Sequence, residues 1–230
     1  MMIPAFLHPW ALNEADALRL QEELATRVIM ADQFNTLRYV AGVDVAYEKA
    51  GDKLFAAVVI LDTASLNIVE TATAEDTARF PYIPGLFSFR ELPPLIKAFA
   101  KLKNTPDLVV CDGQGIAHPR RFGLACHLGV LFDIPTIGCG KTRLLGTADD
   151  PAGQRGSVAP LMDNGEVIGN VLRTQDNTNP IYVSIGHRVS LATACQWVLT
   201  LSPKYRLPET TRAADQVVKA LMANRPFNWQ

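Results

Sequence analysis

Apolar positions recur along this chain with two periods. From Asn13 to about Asp32, Ala17, Leu20, Leu24 and Val28 fall at helical spacing among Glu, Arg and Gln, which predicts one amphipathic helix. Residues 38–47 (RYVAGVDVAY) and 53–62 (KLFAAVVILD) are rich in valine and aromatics, and the turn-like EKAGD between them predicts a hairpin. A third strand at about 67–74 continues an antiparallel meander. FPYIPGLFS then breaks all periodicity, a helix is predicted from near Pro93 to Lys103, and DLVVCD (107–112) reads as a strand buried on both faces. After the loop GQGIAHP come a helix at Arg121–Phe132, a short strand at 134–138, a hairpin over 156–173 turning at Asp163–Gly165, and a strand at 181–185. Helices at Leu191–Leu201 and Glu209–Ala223 close the chain. Three antiparallel strands followed by alternating strands and helices describe an α/β fold, a mixed sheet with helices on both faces. No internal repeat, linker or low-complexity tract divides residues 1–230, so one domain is expected.

Composition narrows the class. Apolar residues are 48% and charged residues 20% of the 230, the balance of an ordinary globular chain. Lys+Arg 22 against Asp+Glu 23 excludes a bulk-basic binder but not nucleic acid, because affinity depends on where cations sit. No apolar run approaches the roughly 18 residues of a membrane span, and the first residues lack the cationic start of a secretory signal. A soluble, cytoplasmic, monomeric protein is the expectation. Four cysteines (111, 126, 139, 195) show no CxxC spacing and four histidines (8, 118, 127, 187) are scattered, so buried reduced thiols are expected rather than a zinc site.

The informative residues are carboxylates in costly places. In VAGVDVAY, Gly42, Asp44 and Ala46 share one strand face, so Asp44 projects between two very small neighbours with room for a metal ion and a phosphate. Asp112 ends the apolar run LVVCD, where ligands of α/β sheets gather, and a charge there must be paired, protonated or coordinated. Glu91 is ambiguous, since Ser88-Phe-Arg-Glu91 is also a capping-box pattern; Asp215, on an amphipathic helix, is weak by itself. Oxygen ligands without imidazole or thiolate select Mg²⁺ or Mn²⁺, and such ions serve phosphodiester hydrolysis.

PYIPG (81–85) is the second feature. Pro81 and Pro84 stiffen a loop that holds Tyr82 and Ile83. Tyr82 either packs inward or forms a rigid wedge that enters a base stack. His118, Arg120, Arg121, Lys141 and Arg143 form a cationic strip suited to backbone phosphates. Gly140-Lys141-Thr142 resembles the end of a phosphate-binding Walker loop, but the required first glycine falls at Pro135, which argues against an NTPase.

GVDVAY, PYIPGLFSFRE, VCDGQGIAHPRRFGLACHLGV, PTIGCGKTRL, YVSIGHRVSL and RLPETTRAADQ, in this order from about residue 40 to 216, resemble the endonuclease V family of deoxyinosine-specific repair nucleases. The resemblance implies an RNase H-like fold and assigns Asp44 and Asp112 as Mg²⁺-binding aspartates (Mn²⁺ being an alternative), with Glu91 as a catalytic, metal-binding glutamate. It makes Tyr82 the wedge and Lys141 the lysine near the scissile phosphate. Gly85, Phe87, Gly113 and His118 fall on loops of a base pocket, and Asp215 takes a fourth acidic-site position that is histidine in some members. His187 lies in a matching motif, with no role beyond orienting the helix that follows. The implied reaction is hydrolysis of the second phosphodiester 3′ to inosine in DNA, leaving 3′-hydroxyl and 5′-phosphate ends, with inosine-containing RNA a further possible substrate. The rivals are another RNase H-like nuclease, which has no need of PYIPG, and a nucleic-acid binding module whose aspartates are structural.

Overall fold

The structure is a computed structural model that describes residues 2–10, 12–48, 51–227 and 229. Eight strands form one sheet: β1 (Tyr39–Tyr47), β2 (Lys53–Asp62), β3 (Ile68–Thr77), β4 (Leu108–Cys111), β5 (Thr136–Gly140), β6 (Val158–Asp163), β7 (Glu166–Leu172) and β8 (Ile181–His187). Their order across the sheet is β3-β2-β1-β4-β5-β8-β7-β6. The β1–β2–β3 meander is antiparallel, β4 and β5 add in parallel to β1, and β8, β7 and β6 continue antiparallel. Part of the expected β1–β2 turn, residues 49 and 50, lies outside the described residues. The β6–β7 turn runs through Asn164 and Gly165 with φ of 51° and 80°, left-handed at both positions as a tight hairpin requires.

Among the described residues five helices cover the sheet: α1 (Glu14–Ala25), α2 (Phe87–Phe99), α3 (Leu124–Phe132), α4 (Leu191–Thr200) and α5 (Glu209–Met222). One face packs Val40, Ala57, Val59, Val110 and Ile137 against Ala194, Val198, Ala213 and Val217 of α4 and α5. The other packs Ala41, Val43, Val58, Ile60 and Val109 against Leu92, Leu95 and Phe99 of α2 and Leu128 of α3. The alternation of strand residues between two buried faces is what the short period predicted. All four cysteines are buried and unpaired, as expected, and burial pushes every thiol up.

Several boundaries differ from the sequence reading. The first helix stops at Ala25, not Asp32, because the following backbone turns away to meet the end of β8: Ile29 N donates to His187 Nδ1 (3.2 Å), and Arg188 N to the Ile29 carbonyl (2.7 Å). The second helix starts at Phe87, upstream of the expected Pro93, and carries Pro93 and Pro94 inside it. Burial of Phe89, Leu92 and Leu95 outweighs the two missing donors. Ser88 is therefore inside the helix rather than capping it; the N-cap is Leu86, with no side-chain cap bond, so the capping-box reading fails. Phe87 likewise belongs to α2 and not to a loop. α3 begins at Leu124 rather than Arg121, whose φ of 53° is left-handed. β5 falls two residues later than expected because Asp133 ends α3 with φ 54° and Ile134 N still closes on the Gly129 carbonyl.

Candidate active site

The parallel register of β1 on β4 ends with Val43 opposite Cys111. The next residues on the two chains are Asp44 and Asp112, so both aspartates leave the sheet at one level and, by alternation, on the α5 side. Gly42, one pleat behind Asp44, is needed for another reason than that expected. A Cβ there would lie 2.0 Å from the Thr210 carbonyl oxygen. The space read from the sequence as room beside Asp44 is therefore filled by the first turn of α5. That close approach brings Asp215, two turns along α5, to the aspartates.

Glu91 reaches the same place from α2, on the opposite face. Its Oε1 accepts a hydrogen bond from the Tyr47 hydroxyl at the end of β1, and Arg90 lies over the Tyr47 ring at 5.2 Å. Lys141, directly after β5, is paired through Nζ with Asp112 Oδ2, and Lys219 Nζ holds Asp215 Oδ2 at 2.7 Å. Electrostatics tie the carboxylates together. Burial and the charges of Asp112 and Asp215 push the Asp44 carboxyl up to about 6, with Lys141 opposing. Burial pushes Glu91 up to about 7 against the Tyr47 hydrogen bond, with Asp44 and Asp112 adding to the rise. Lys141 is held above its usual range by Asp112, against its own partial burial. Four carboxyl groups share this place with two lysines, and the side-chain donors are oxygens alone, a set that fits a hard divalent cation. Among the described residues no three acidic, histidine or cysteine groups close on one point tightly enough to enclose an ion.

Beside the carboxylates opens a cavity of about 340 Å³, within the range of small-molecule sites. Gly85, Phe87, Glu91, Asp112, Gly113, His118 and Lys141 line it. Gly85 has φ of 80°, a value that suits glycine. Its carbonyl accepts from Gln21 Nε2 (3.0 Å), His118 Nε2 (2.9 Å) and Arg120 Nη2 (2.9 Å). Burial and neighbouring Arg120 push His118 down to about 4, so it stands there as a neutral donor.

Ahead of the cavity, Ile83 packs into the cluster of Phe80, Leu86 and Phe89, while Pro81, Tyr82 and Pro84 are exposed. Tyr82 is 64% exposed and rests on Phe87 with ring centroids 4.6 Å apart, so the inward-packing reading fails.

The cationic strip divides. Lys141 and Arg143 face the cavity. Arg120 is spent on Gly85 and Gln21, and Arg121 pairs with Asp163 (2.8 Å) and Glu166 (2.9 Å) at the β6–β7 turn. Both are structural cations rather than free phosphate contacts, because left-handed Arg121 turns its side chain to the far hairpin. His187 holds the α1–β1 connection through Ile29 and approaches Asp133 at 3.4 Å; it does not orient α4, whose cap is Ser190.

Cavity residues that escaped the sequence reading include Gln21, Gln114, Gly123, Leu124 and Leu144. Buried Gln114 Oε1 has no partner among the described residues, while its Nε2 donates to the Thr142 carbonyl at 3.1 Å. Tyr47 was also missed, and its position at the end of β1, on the face opposite Asp44, was the one signal available.

The family model described as Endonuclease V matches residues 22–216. An endonuclease V of Trichormus variabilis is 52% identical over 211 residues, covering 91% of this chain and 96% of that one. The chain belongs to the endonuclease V family. Among solved structures, endonuclease V from Streptomyces avermitilis superposes with TM-score 0.90 at 47% identity, covering 97% of each chain. Endonuclease V from Ciona intestinalis, solved with a 24-mer DNA containing an inosine followed by a ribo-adenosine, gives 0.80 at 28% identity, over 91% of this chain and 98% of that one. The mixed sheet is thus the RNase H-like one, and the protein is an endonuclease of a metal-dependent family. Among the described residues no helix is long and apolar enough to cross a membrane.

Proposed function

We propose that this endonuclease V repairs DNA by recognising deoxyinosine and hydrolysing the second phosphodiester bond 3′ to it, leaving 3′-hydroxyl and 5′-phosphate ends. The observation that carries the reading is the juxtaposition of Asp44, Glu91, Asp112 and Asp215 with a base-sized cavity fronted by an exposed, proline-framed Tyr82. Asp44, Asp112 and Glu91 would hold Mg²⁺, with Mn²⁺ as an alternative, and Asp215 completes the acidic edge. The chemistry such an ion would supply there is Lewis-acid activation of water and stabilisation of the leaving oxygen.

The remaining work falls to the chain itself. Lys141, protonated and anchored on Asp112, lies where a scissile phosphate approaches the carboxylates and neutralises part of its charge. Tyr82 takes the place of the extruded base in the stack. Hypoxanthine presents an O6 acceptor and an N1–H donor where adenine presents a donor and a bare N1. Main-chain groups around Gly85 and Gly113 distinguish these edges. Guanine's extra amino group is excluded by shape. The enzyme acts as a monomer and as a single catalytic domain; four unpaired thiols fit the reducing cytoplasm.

The test is cleavage of end-labelled oligonucleotides with one deoxyinosine, in Mg²⁺, Mn²⁺ or EDTA, for wild type, Asp44→Ala and Tyr82→Ala, with inosine-containing RNA alongside. A metal-dependent nick one nucleotide beyond the lesion, lost in Asp44→Ala, supports the reading. Tyr82→Ala weakens duplex cleavage more than single-strand cleavage. Metal-dependent cutting with no inosine preference overturns the pocket assignment.

A further inference from the structure

A chain of polar groups buried under the N-terminal segment takes no part in that mechanism. His127, fully enclosed in α3, has its Nδ1 2.9 Å from Ser88 Oγ and its Nε2 2.8 Å from His8 Nε2. His8 Nδ1 in turn lies 2.9 Å from the Pro9 carbonyl oxygen. Trp10 lies against both imidazoles, with centroids 4.2 Å from His8 and 5.8 Å from His127, and Phe89 and Phe122 close other sides of His127. The third member, Ser88, lines the base cavity three residues before Glu91.

The chemistry of the ends dictates where the hydrogens sit. A carbonyl only accepts, so His8 Nδ1 carries a hydrogen. In neutral His8 the Nε2 is then bare, and His127 Nε2–H donates to it. His127 Nδ1 is bare in consequence, and Ser88 spends its hydroxyl hydrogen there. One added proton reverses the whole chain. His8 Nε2–H now donates to His127 Nε2, His127 Nδ1–H donates to Ser88 Oγ, and the Ser88 O–H is free of His127. The two arrangements share every heavy-atom position and differ by one proton. The His127 Nε2 hydrogen passes to His8 Nε2, the Ser88 hydroxyl hydrogen passes to His127 Nδ1, and the added proton arrives on Ser88 Oγ from the cavity, so that the charge rests on His8 and one O–H is left free at the cavity wall.

We propose that this chain makes Ser88 a proton-controlled hydrogen-bond donor to the ligand in the cavity, with His8 and His127 as its positioning residues. The identity of the ligand, a purine with acceptors on its ring edge, rests on the nuclease reading. The positive charge settles on His8, because His127 is pressed further down by deeper burial and by His8 itself. The charged groups on the packed elements are Arg90 and Glu91 on α2, Asp133 after α3, and Arg27, which lies 5.1 Å over the ring of Phe6 beside His8. Among the described residues none of these hydrogen-bonds to either imidazole.

The first test needs no substrate. Two-bond nitrogen–proton correlation spectra of the full chain labelled with ¹⁵N-histidine are recorded from pH 8.5 to 5. His127 is expected to move from the Nε2–H to the Nδ1–H tautomer with the same midpoint at which His8 becomes imidazolium. A His127 that keeps Nε2–H while His8 charges, or that becomes imidazolium itself, overturns the proposal.

The second test compares KM for an inosine oligonucleotide at pH 5.5 and 8.0 in wild type, Ser88→Ala, His8→Phe and the double variant. Other titrations in the site are common to all four proteins. The wild-type KM is expected to fall about 2- to 10-fold between pH 8.0 and 5.5 relative to the variants, the worth of one hydrogen bond. Each single variant loses the same factor, and the double variant loses no more. Additive losses, or a wild-type pH response in His8→Phe, refute the link to the ligand. Absence of inosine cleavage at every pH would refute the nuclease reading instead, and the tautomer spectra still decide the chain.

Discussion

Replacing Asp44 by asparagine removes a charge from the sheet edge while nearly conserving shape, so its effect on stability isolates the electrostatic cost of the site. The carboxyl is raised from 3.8 to about 6 by burial and by Asp112 and Asp215. Such a displacement corresponds to about 3 kcal/mol of differential stability between the ionised and neutral forms. Above pH 6 Asp44 is ionised in both folded and unfolded chains, and the folded state carries the full penalty. Between 6 and 3.8 the folded chain holds more protons than the unfolded one, so stability rises as the pH falls through that window and the penalty is gone below 3.8. The attraction of Lys141 is already contained in that displacement, so the expected net gain at pH 8 is about 3 kcal/mol, or roughly 6–12 °C in Tm for a chain this size. The assay is thermal unfolding by circular dichroism in EDTA at pH 8, 6 and 4. Asp44→Asn is expected to be inactive yet more stable than wild type at pH 8, with the gap narrowing as the pH falls. Adding Mg²⁺ raises the wild-type Tm and leaves the variant where it was. A variant less stable than wild type at pH 8, or a gap independent of pH, would refute the reasoning.

The other predictions concern geometry. Tyr47→Phe removes the hydrogen bond that lowers the Glu91 carboxyl, so the acid limb of the pH–rate profile moves to higher pH; an unmoved limb means that Glu91 does not control it. Gly115→Ala places a Cβ 1.9 Å from the Ile185 carbonyl oxygen and is expected to yield insoluble protein. In Gly113→Ala the new atom meets Leu124 at 3.5 Å, so the protein folds, and inosine preference then reads out the cavity wall. Arg121→Ala loses about 1 kcal/mol of stability at the β6–β7 turn with kcat/KM unchanged. Arg120→Ala removes one of the three donors that hold the Gly85 carbonyl and raises KM for the inosine substrate by about 10-fold, a loss of about 1.4 kcal/mol in steady-state assays.

Much of this protein was determined by its sequence alone. Alternation in RYVAGVDVAY and KLFAAVVILD, the two-sided apolar run LVVC, and turn residues at Asp163–Gly165 encode strands and hairpins through contacts a few residues apart, and those elements formed where expected. Asp44 and Asp112 were legible because a carboxylate in an apolar strand has few inexpensive explanations. Tertiary structure decided the rest, wherever a residue's role depends on partners distant in the chain. Nothing local tells that Gly42 yields to the Thr210 backbone, that helix α1 ends because Ile29 meets Arg188, or that Arg120 and Arg121, adjacent in sequence, turn to opposite tasks. Ser88 is the sharpest case. Its spacing to Glu91 is that of a capping box, but burial of Phe89 and Leu92 carries the helix start upstream and points its hydroxyl at His127, thirty-nine residues away. Hydrophobic periodicity is written in neighbours, whereas the satisfaction of buried polar groups is settled only when the chain has closed on itself.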